Sequence, residues 1–288
     1  MSEPPAVQVQ DLVKVFKSPM GRRPVRAVDG ISLEIGSGDV YGLIGPNGSG
    51  KSTTMKAVLG LVRPTSGNCA IFGRDSLKVD SRQRVGFLPE NPYFYKHLTG
   101  AETLRFYGKL CGMRGTTLAA RVDELLDLVD LADARDRRLG GYSKGMLQRI
   151  GLAQALVQDP ELVILDEPTA GVDPLGSRQI RDLILTLKDR GITVFLCSHL
   201  LEQVQEVCDH IGIIHRGHLI REGAVADLIA VESQTEIVLE NASPALLEKI
   251  KCLAREDAQT SLVRTGNPST TLERIFLEET RNADADDE

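Results

Sequence analysis

The chain has 288 residues, of which 42% are hydrophobic and 26% charged, and its formal net charge is −6. This length accommodates one large domain and a small one, and the composition is ordinary for a water-soluble globular protein. A net negative charge argues against nucleic acid as a partner held by bulk electrostatics. The apolar runs are far shorter than the ~20 residues of a membrane-spanning helix. Residues 1–10 are polar and contain Pro4-Pro5, unlike a secretory signal, so a cytoplasmic location is expected. Cys69, Cys111, Cys197, Cys208 and Cys252 show no C-x-x-C spacing and read as small apolar residues in a reducing compartment.

In chain order, residues 8–16 and 25–35 alternate polar and apolar side chains, as an antiparallel β-subdomain requires, around a Gly/Pro-containing loop at 18–24. Val40-Tyr41-Gly42-Leu43-Ile44 is a short apolar strand. It runs into Gly45-Pro46-Asn47-Gly48-Ser49-Gly50-Lys51-Ser52-Thr53, which fits G-x-x-x-x-G-K-[ST]. Met55, Val58, Leu59 and Leu61 then recur at helical spacing from 53 to 61. Strand, glycine-rich loop and helix start form the context of a phosphate-binding loop. Its N–H groups converge on an anion at the positive end of the following helix. In such a loop Lys51 reaches the β- and γ-phosphates, and the Ser52 hydroxyl ligates Mg²⁺.

Residues 69–72 and 85–88 read as further strands, the second leading into Glu90. Residues 92–158 read as helical. Thr99 and Glu102 form a capping box that opens a helix with Leu104, Tyr107 and Leu110 on one face. Leu118, Val122, Leu125, Leu126 and Val129 form a second apolar stripe. Tyr93, Phe94 and Tyr95 read equally as exposed aromatics or as internal packing. Gly140-Gly141-Tyr142-Ser143-Lys144-Gly145-Met146-Leu147-Gln148-Arg149 precedes another helix, with Ser143 as N-cap and Gly145 permitting close backbone approach.

Leu162-Val163-Ile164-Leu165 reads as a buried parallel strand, followed by Asp166-Glu167-Pro168 at its C-terminal end, where open α/β sheets bind ligands. Asp166 suits the Mg²⁺ shell, and Glu167 the polarisation of an attacking water. A further strand at 193–196 ends in Cys197-Ser198-His199, which brings His199 to the same edge. His97, His210, His215 and His218 read as surface or structural. Residues 211–220 read as a hairpin turning at Arg216-Gly217. Beyond Gly223, strand-like alternation at 235–240 and 261–264 and helix-like spacing at 244–250 and from 269 indicate a small α+β unit over 226–281. The acidic stretch 282–288 reads as a disordered tail.

Taken in order, these motifs resemble the ATP-binding subunits of ABC transporters. Walker A lies at 45–53, a variant signature at 142–146, Walker B at 162–167, the D-loop at Gly171-Val172-Asp173-Pro174, and the H-loop at His199. The resemblance covers about residues 6–225 and implies an α/β phosphate-loop NTPase (RecA-like) core. An antiparallel β-subdomain and a helical signature subdomain at about 92–158 would accompany it. It implies ATP and Mg²⁺ as cofactors, Phe16 stacking on adenine, and Ser143 and Gly145 touching the γ-phosphate of ATP on a partner chain. It further implies a head-to-tail dimer with itself or a homologous subunit, with Asp173 at the seam. The helical subdomain would receive integral membrane transporter subunits, with Tyr93, Phe94 and Tyr95 at that contact, and so hold the chain on the inner face of the membrane.

Two departures from the family pattern stand out. The usual second signature glycine is Lys144 and the usual glutamine Met146, and Glu90 stands where the Q-loop carries glutamine. Both variants, and the C-terminal unit, resemble the branch that drives exporters with separately encoded membrane subunits. Glu90 can still serve as a Mg²⁺ or water ligand. The alternative is a soluble ABC-type ATPase acting on nucleic acid or ribosomes. Against it, only 92 positions separate Lys51 from Ser143, too few for a long coiled-coil insertion, and the chain holds a single such unit.

Overall fold

The structure, a computed structural model, describes residues 4–17 and 24–229 together with Leu246 and Lys249. The expected α+β unit at 226–281 and the tail at 282–288 lie almost wholly outside the described residues, apart from the short helix noted below.

Two sheets organise the fold. The first has the order β2-β1-β4-β5 and comprises β1 (Val7–Phe16), β2 (Val25–Ile35), β4 (Ser66–Ile71) and the short β5 (Arg74–Asp75), paired antiparallel throughout. The second has the order β10-β9-β3-β8-β7-β6. It contains β3 (Val40–Ile44), β6 (Val85–Leu88), β7 (Leu162–Asp166), β8 (Thr193–Ser198), β9 (His210–His215) and β10 (His218–Ala224). Its strands run parallel except β10, which closes a hairpin with β9.

The central strands are apolar on both faces because both faces are covered. On β3, Val40 and Ile44 join one core while Tyr41 and Leu43 join the other. Val163 and Leu165 against Leu162 and Ile164 repeat this on β7, as do Val194 and Leu196 against Phe195 and Cys197 on β8. This is the period-2 alternation of a strand read out in two separate cores. One core lies against the antiparallel sheet and α1 (Lys51–Val58). It includes Val7, Leu12, Ile31, Met55 and Val58, and there Tyr41 and Phe195 meet edge to face at 5.9 Å. Burying each such side chain stabilises the fold by roughly 1.5–3 kcal/mol.

The other core is shared with α4 (Lys144–Ala155), α5 (Pro174–Asp189) and α6 (Leu201–Val207), and with the helices α2 (Gly100–Leu110) and α3 (Gly115–Leu128). α2 opens with the expected capping box: Thr99 Oγ1 accepts from the Glu102 N–H and the Glu102 carboxylate from the Thr99 N–H. The α3 stripe of Leu118, Val122, Leu125 and Leu126, continued by Val129, is fully buried. On α2 the expectation is corrected. Leu110 is exposed, because the buried face runs through Ala101, Leu104 and Gly108, and the side chain of Leu118 packs against Gly108. The three aromatics that read as either exposed or packed divide, with Phe94 taking the packed position. It packs against this core and meets Tyr107 edge to face at 6.3 Å, while Tyr93 and Tyr95 are exposed. A short α7 (Val225–Ile229) follows β10. The thiols of Cys69, Cys197 and Cys208 are buried and unpaired, Cys111 is exposed, and Cys252 lies outside the described residues.

Candidate functional site

Four strands of the parallel sheet deliver polar groups to one edge. β3 ends in the glycine-rich loop, β6 leads to Glu90, β7 ends in Asp166 and Glu167, and β8 ends in Ser198 and His199. They form a cleft of about 220 Å³ lined by Asn47, Gly48, Gly50, Lys51, Ser52, Thr53, Glu90, Glu167 and His199, with Ala27 and Ala170.

The loop is built by its glycines. Gly50 caps α1 in a left-handed conformation, φ +113°, and a Cβ there would come within 2.4 Å of the Ala27 carbonyl oxygen. At Gly45 a Cβ would come within 2.2 Å of the Ile214 carbonyl oxygen and 2.7 Å of the Ser49 hydroxyl. Neither site admits a side chain. The Ser49 hydroxyl is itself buried without a hydrogen-bond partner, and Pro46 O accepts from the Ser49 N–H at 3.2 Å, closing the turn.

Lys51 is buried, and its ammonium donates to Gly45 O at 2.7 Å and Pro46 O at 3.2 Å. The same nitrogen lies 3.7 Å from Glu167 Oε1. Glu167 is a non-glycine residue with φ +50°, held there as its N–H donates to Cys197 O at 2.9 Å and its carbonyl accepts from Ala170 N–H at 3.1 Å. A left-handed residue at a strand end is the kind of local strain that recurs at active sites. Its Oε2 lies 2.8 Å from His199 Nδ1. Ser52 donates to Asp166 Oδ1 at 3.1 Å, and Asp166 is buried. Desolvation raises the Asp166 carboxyl above its ordinary range, opposed by the Ser52 hydrogen bond and aided by the charges of Glu167 and Glu90.

The donor set bears on a divalent cation. Among the described residues, no group of three or more His, Cys, Asp or Glu side chains could hold a metal by itself. The Ser52–Asp166 pair, with Glu90 on the same cleft, offers hard oxygen ligands only. That fits Mg²⁺, which takes one or two protein oxygens and completes its shell with water and substrate phosphates.

Other residues singled out in the sequence lie elsewhere. Ser143 caps α4, accepting from Met146 N–H at 3.2 Å, and Gly145 is buried 3.2 Å, measured from its built Cβ, from Val172 Cγ1. Neither lines the cleft. Phe16, at the end of β1, is 42% exposed, which rules out a core position; the Lys14 ammonium sits 5.0 Å from its ring centre. It too is outside the cleft lining. Asp173 caps α5, accepting from Gly176 N–H at 2.8 Å. Ala27 and Ala170 line the cleft unforeseen, because small apolar side chains carry no chemical signal in a sequence.

Comparison with known proteins bears directly on this geometry. The family model described as ABC transporter matches residues 28–170. An ABC transporter ATP-binding protein of Nostoc sp. is 41% identical over 249 residues, 85% of this chain and 74% of the relative. The chain belongs to the ATP-binding subunits of ABC transporters. A fluoroquinolones export ATP-binding protein of Mycobacterium tuberculosis is 38% identical over 227 residues, covering 78% of this chain and 73% of that protein. Among solved structures, a dimeric ATP-binding cassette in a post-hydrolysis state, bound to ADP and Pi, aligns with a TM-score of 0.69 and 26% identity. The match covers 76% of this chain and 98% of the cassette. This ABC subunit therefore has the α/β phosphate-loop NTPase fold of an ATP-hydrolysing cassette. Among the described residues no helix is long and apolar enough to cross a membrane.

Proposed function

We propose that this ABC subunit is the ATP-hydrolysing motor of an exporter, working as a head-to-tail dimer on the inner face of the membrane. It would bind separately encoded membrane subunits. The observation that carries this reading is the division of the site. Lys51, Ser52, Asp166, Glu167 and His199 gather in or beside one cleft, while Ser143 and Gly145 stand at a helix N-terminus outside it. Two chains facing each other would bring the Ser143 helix end of one to the cleft of the other, a reading that the dimeric state of the cassette described above supports.

In each composite site the loop amides and Lys51 cradle the phosphates, and Phe16 stacks on adenine. Ser52 and Asp166 would hold Mg²⁺, with Glu90 as a further water or metal ligand, and the ion would supply charge neutralisation to the phosphates. Glu167 takes the proton of the attacking water, and His199 holds the Glu167 carboxylate and orients the γ-phosphate. Ser143 and Gly145 of the second chain close the cage. Positioning and charge stabilisation carry most of the catalysis. ATP binding closes the dimer, hydrolysis reopens it, and the exposed Tyr93 and Tyr95 form part of the surface that passes this motion to the membrane subunits. The export direction is supported by the name of the Mycobacterium tuberculosis relative.

A pull-down from detergent-solubilised membranes with tagged Glu167→Gln and ATP tests this reading. Recovery of a multi-span membrane protein is the expected result. Recovery of ribosomes or nucleic acid alone would replace it with a soluble ATPase.

A further inference from the structure

Gln148 is 1% exposed, inside α4 and five positions after the Ser143 cap. Its Nε2 donates to the backbone carbonyl of Glu90 at 3.0 Å. Its Oε1 is buried with no hydrogen-bond partner. A buried, unpaired amide oxygen is a cost that a hydrocarbon side chain of the same size would not carry. Packing therefore does not explain the amide; its one bond does.

That bond joins two parts of the machinery. The Glu90 side chain lines the ATP cleft, and its charge is felt by Asp166. The Glu90 carbonyl is held by the helix whose first turn carries Ser143. α4 is in turn fixed to the helical region, because the neighbouring Arg149 guanidinium donates to Val129 O and Asp130 O, both at 2.8 Å. Displacement of the helical region thus bears on Glu90 through this bond, beside the packing of α4 on β6 and on Pro92 and Phe94.

We propose that Gln148 is a positioning residue for ATP hydrolysis, a tether that sets Glu90 in the cleft according to where the Ser143 helix stands. The proposal rests on the ATPase reading of the cleft and adds a residue that touches neither nucleotide nor metal. It links the state of the signature helix to the acidic side of the phosphate site within one chain.

The test is Gln148→Met in the full-length chain, which keeps the volume, removes the donor and removes the orphan oxygen. The thermal midpoint should be equal or higher, and the KM for ATP should change by less than about twofold. The kcat should fall about tenfold, the scale of a coupling residue that misplaces a group near the chemistry. Amide exchange around Glu90 and Asn91 should quicken, a readout independent of turnover. In a double-mutant cycle, adding Glu90→Ala should cost little beyond either change alone. A kcat within about twofold of wild type would overturn the proposal. So would losses that simply multiply, or failure of both Gln148→Met and Gln148→Leu to fold, since the tether is held to be dispensable to the fold. Retained turnover in Glu167→Gln, by contrast, would strike the functional reading and leave the exchange result standing.

Discussion

Glu167 is held at both carboxylate oxygens: Oε2 lies 2.8 Å from His199 Nδ1, and Oε1 lies 3.7 Å from the Lys51 ammonium. The first contact orients the carboxylate and the second places its charge beside the buried Lys51 ammonium. In its proposed role as base, Glu167 depends on His199 for its aim, since a general base must lie within hydrogen-bond reach of the proton it takes. His199→Ala should therefore lower kcat by about 100-fold or more while leaving ATP binding within a few-fold. Steady-state ATPase assays alongside equilibrium nucleotide binding check this; an equal loss of both would assign His199 to binding alone.

Asp166 links stability to pH. Burial raises its carboxyl above the ordinary range, so ionisation is disfavoured in the folded chain. The resulting destabilisation is fully present above the raised folded value. It disappears as pH falls through that value towards the unfolded one, roughly 3.9. Asp166→Asn keeps an acceptor for Ser52 and removes the buried charge. Its thermal midpoint at pH 8 should exceed wild type by up to a few degrees, with the two curves converging near pH 4. Mg²⁺-dependent ATPase should be lost. A variant less stable than wild type at pH 8 would contradict this account of the burial.

The division of the site predicts complementation between damaged chains. Lys51→Ala disables the cleft and Ser143→Ala the helix end, so either variant on its own should be inactive. A mixed dimer has one composite site with both lesions and one intact site, and mixing should restore up to about half the activity per mixed dimer. Ser143→Ala also removes the N-cap of α4, at roughly 1 kcal/mol. Thermal melts run alongside the ATPase assays separate that cost from the catalytic one.

At Gly45 the constraint is steric. A methyl group there would meet the Ile214 carbonyl at 2.2 Å, backbone that cannot swing aside. Gly45→Ala should therefore displace the loop from β9 and weaken ATP binding more than ten-fold, by the logic of overpacking in a rigid setting. Calorimetric titration with ATP is the check.

Much of this was legible in the sequence because it depends on spacing along the chain. The apolar runs of β3, β7 and β8 had to be strands covered on both sides, and the carboxylates and His199 directly after them had to emerge at one edge. What was not legible depends on contacts across the chain. Leu110 fitted the helical period of α2 as well as Leu104 does, yet the position of α3 leaves it in solvent. Phe94 stands between two exposed tyrosines and packs inward because Tyr107 offers it an edge. Ala27 and Ala170 shape the cleft by being small, and the Gln148–Glu90 bond spans 58 positions with no local pattern to announce it.

The most direct test of the account is the solution mass of Glu167→Gln with ATP and Mg²⁺, measured with the bound nucleotide counted and turnover followed in the same sample. A dimer holding two ATP molecules and hydrolysing almost none is expected, with Lys51→Ala remaining monomeric. A monomer that binds one ATP and turns it over at the wild-type rate would contradict both the composite site and the role of Glu167.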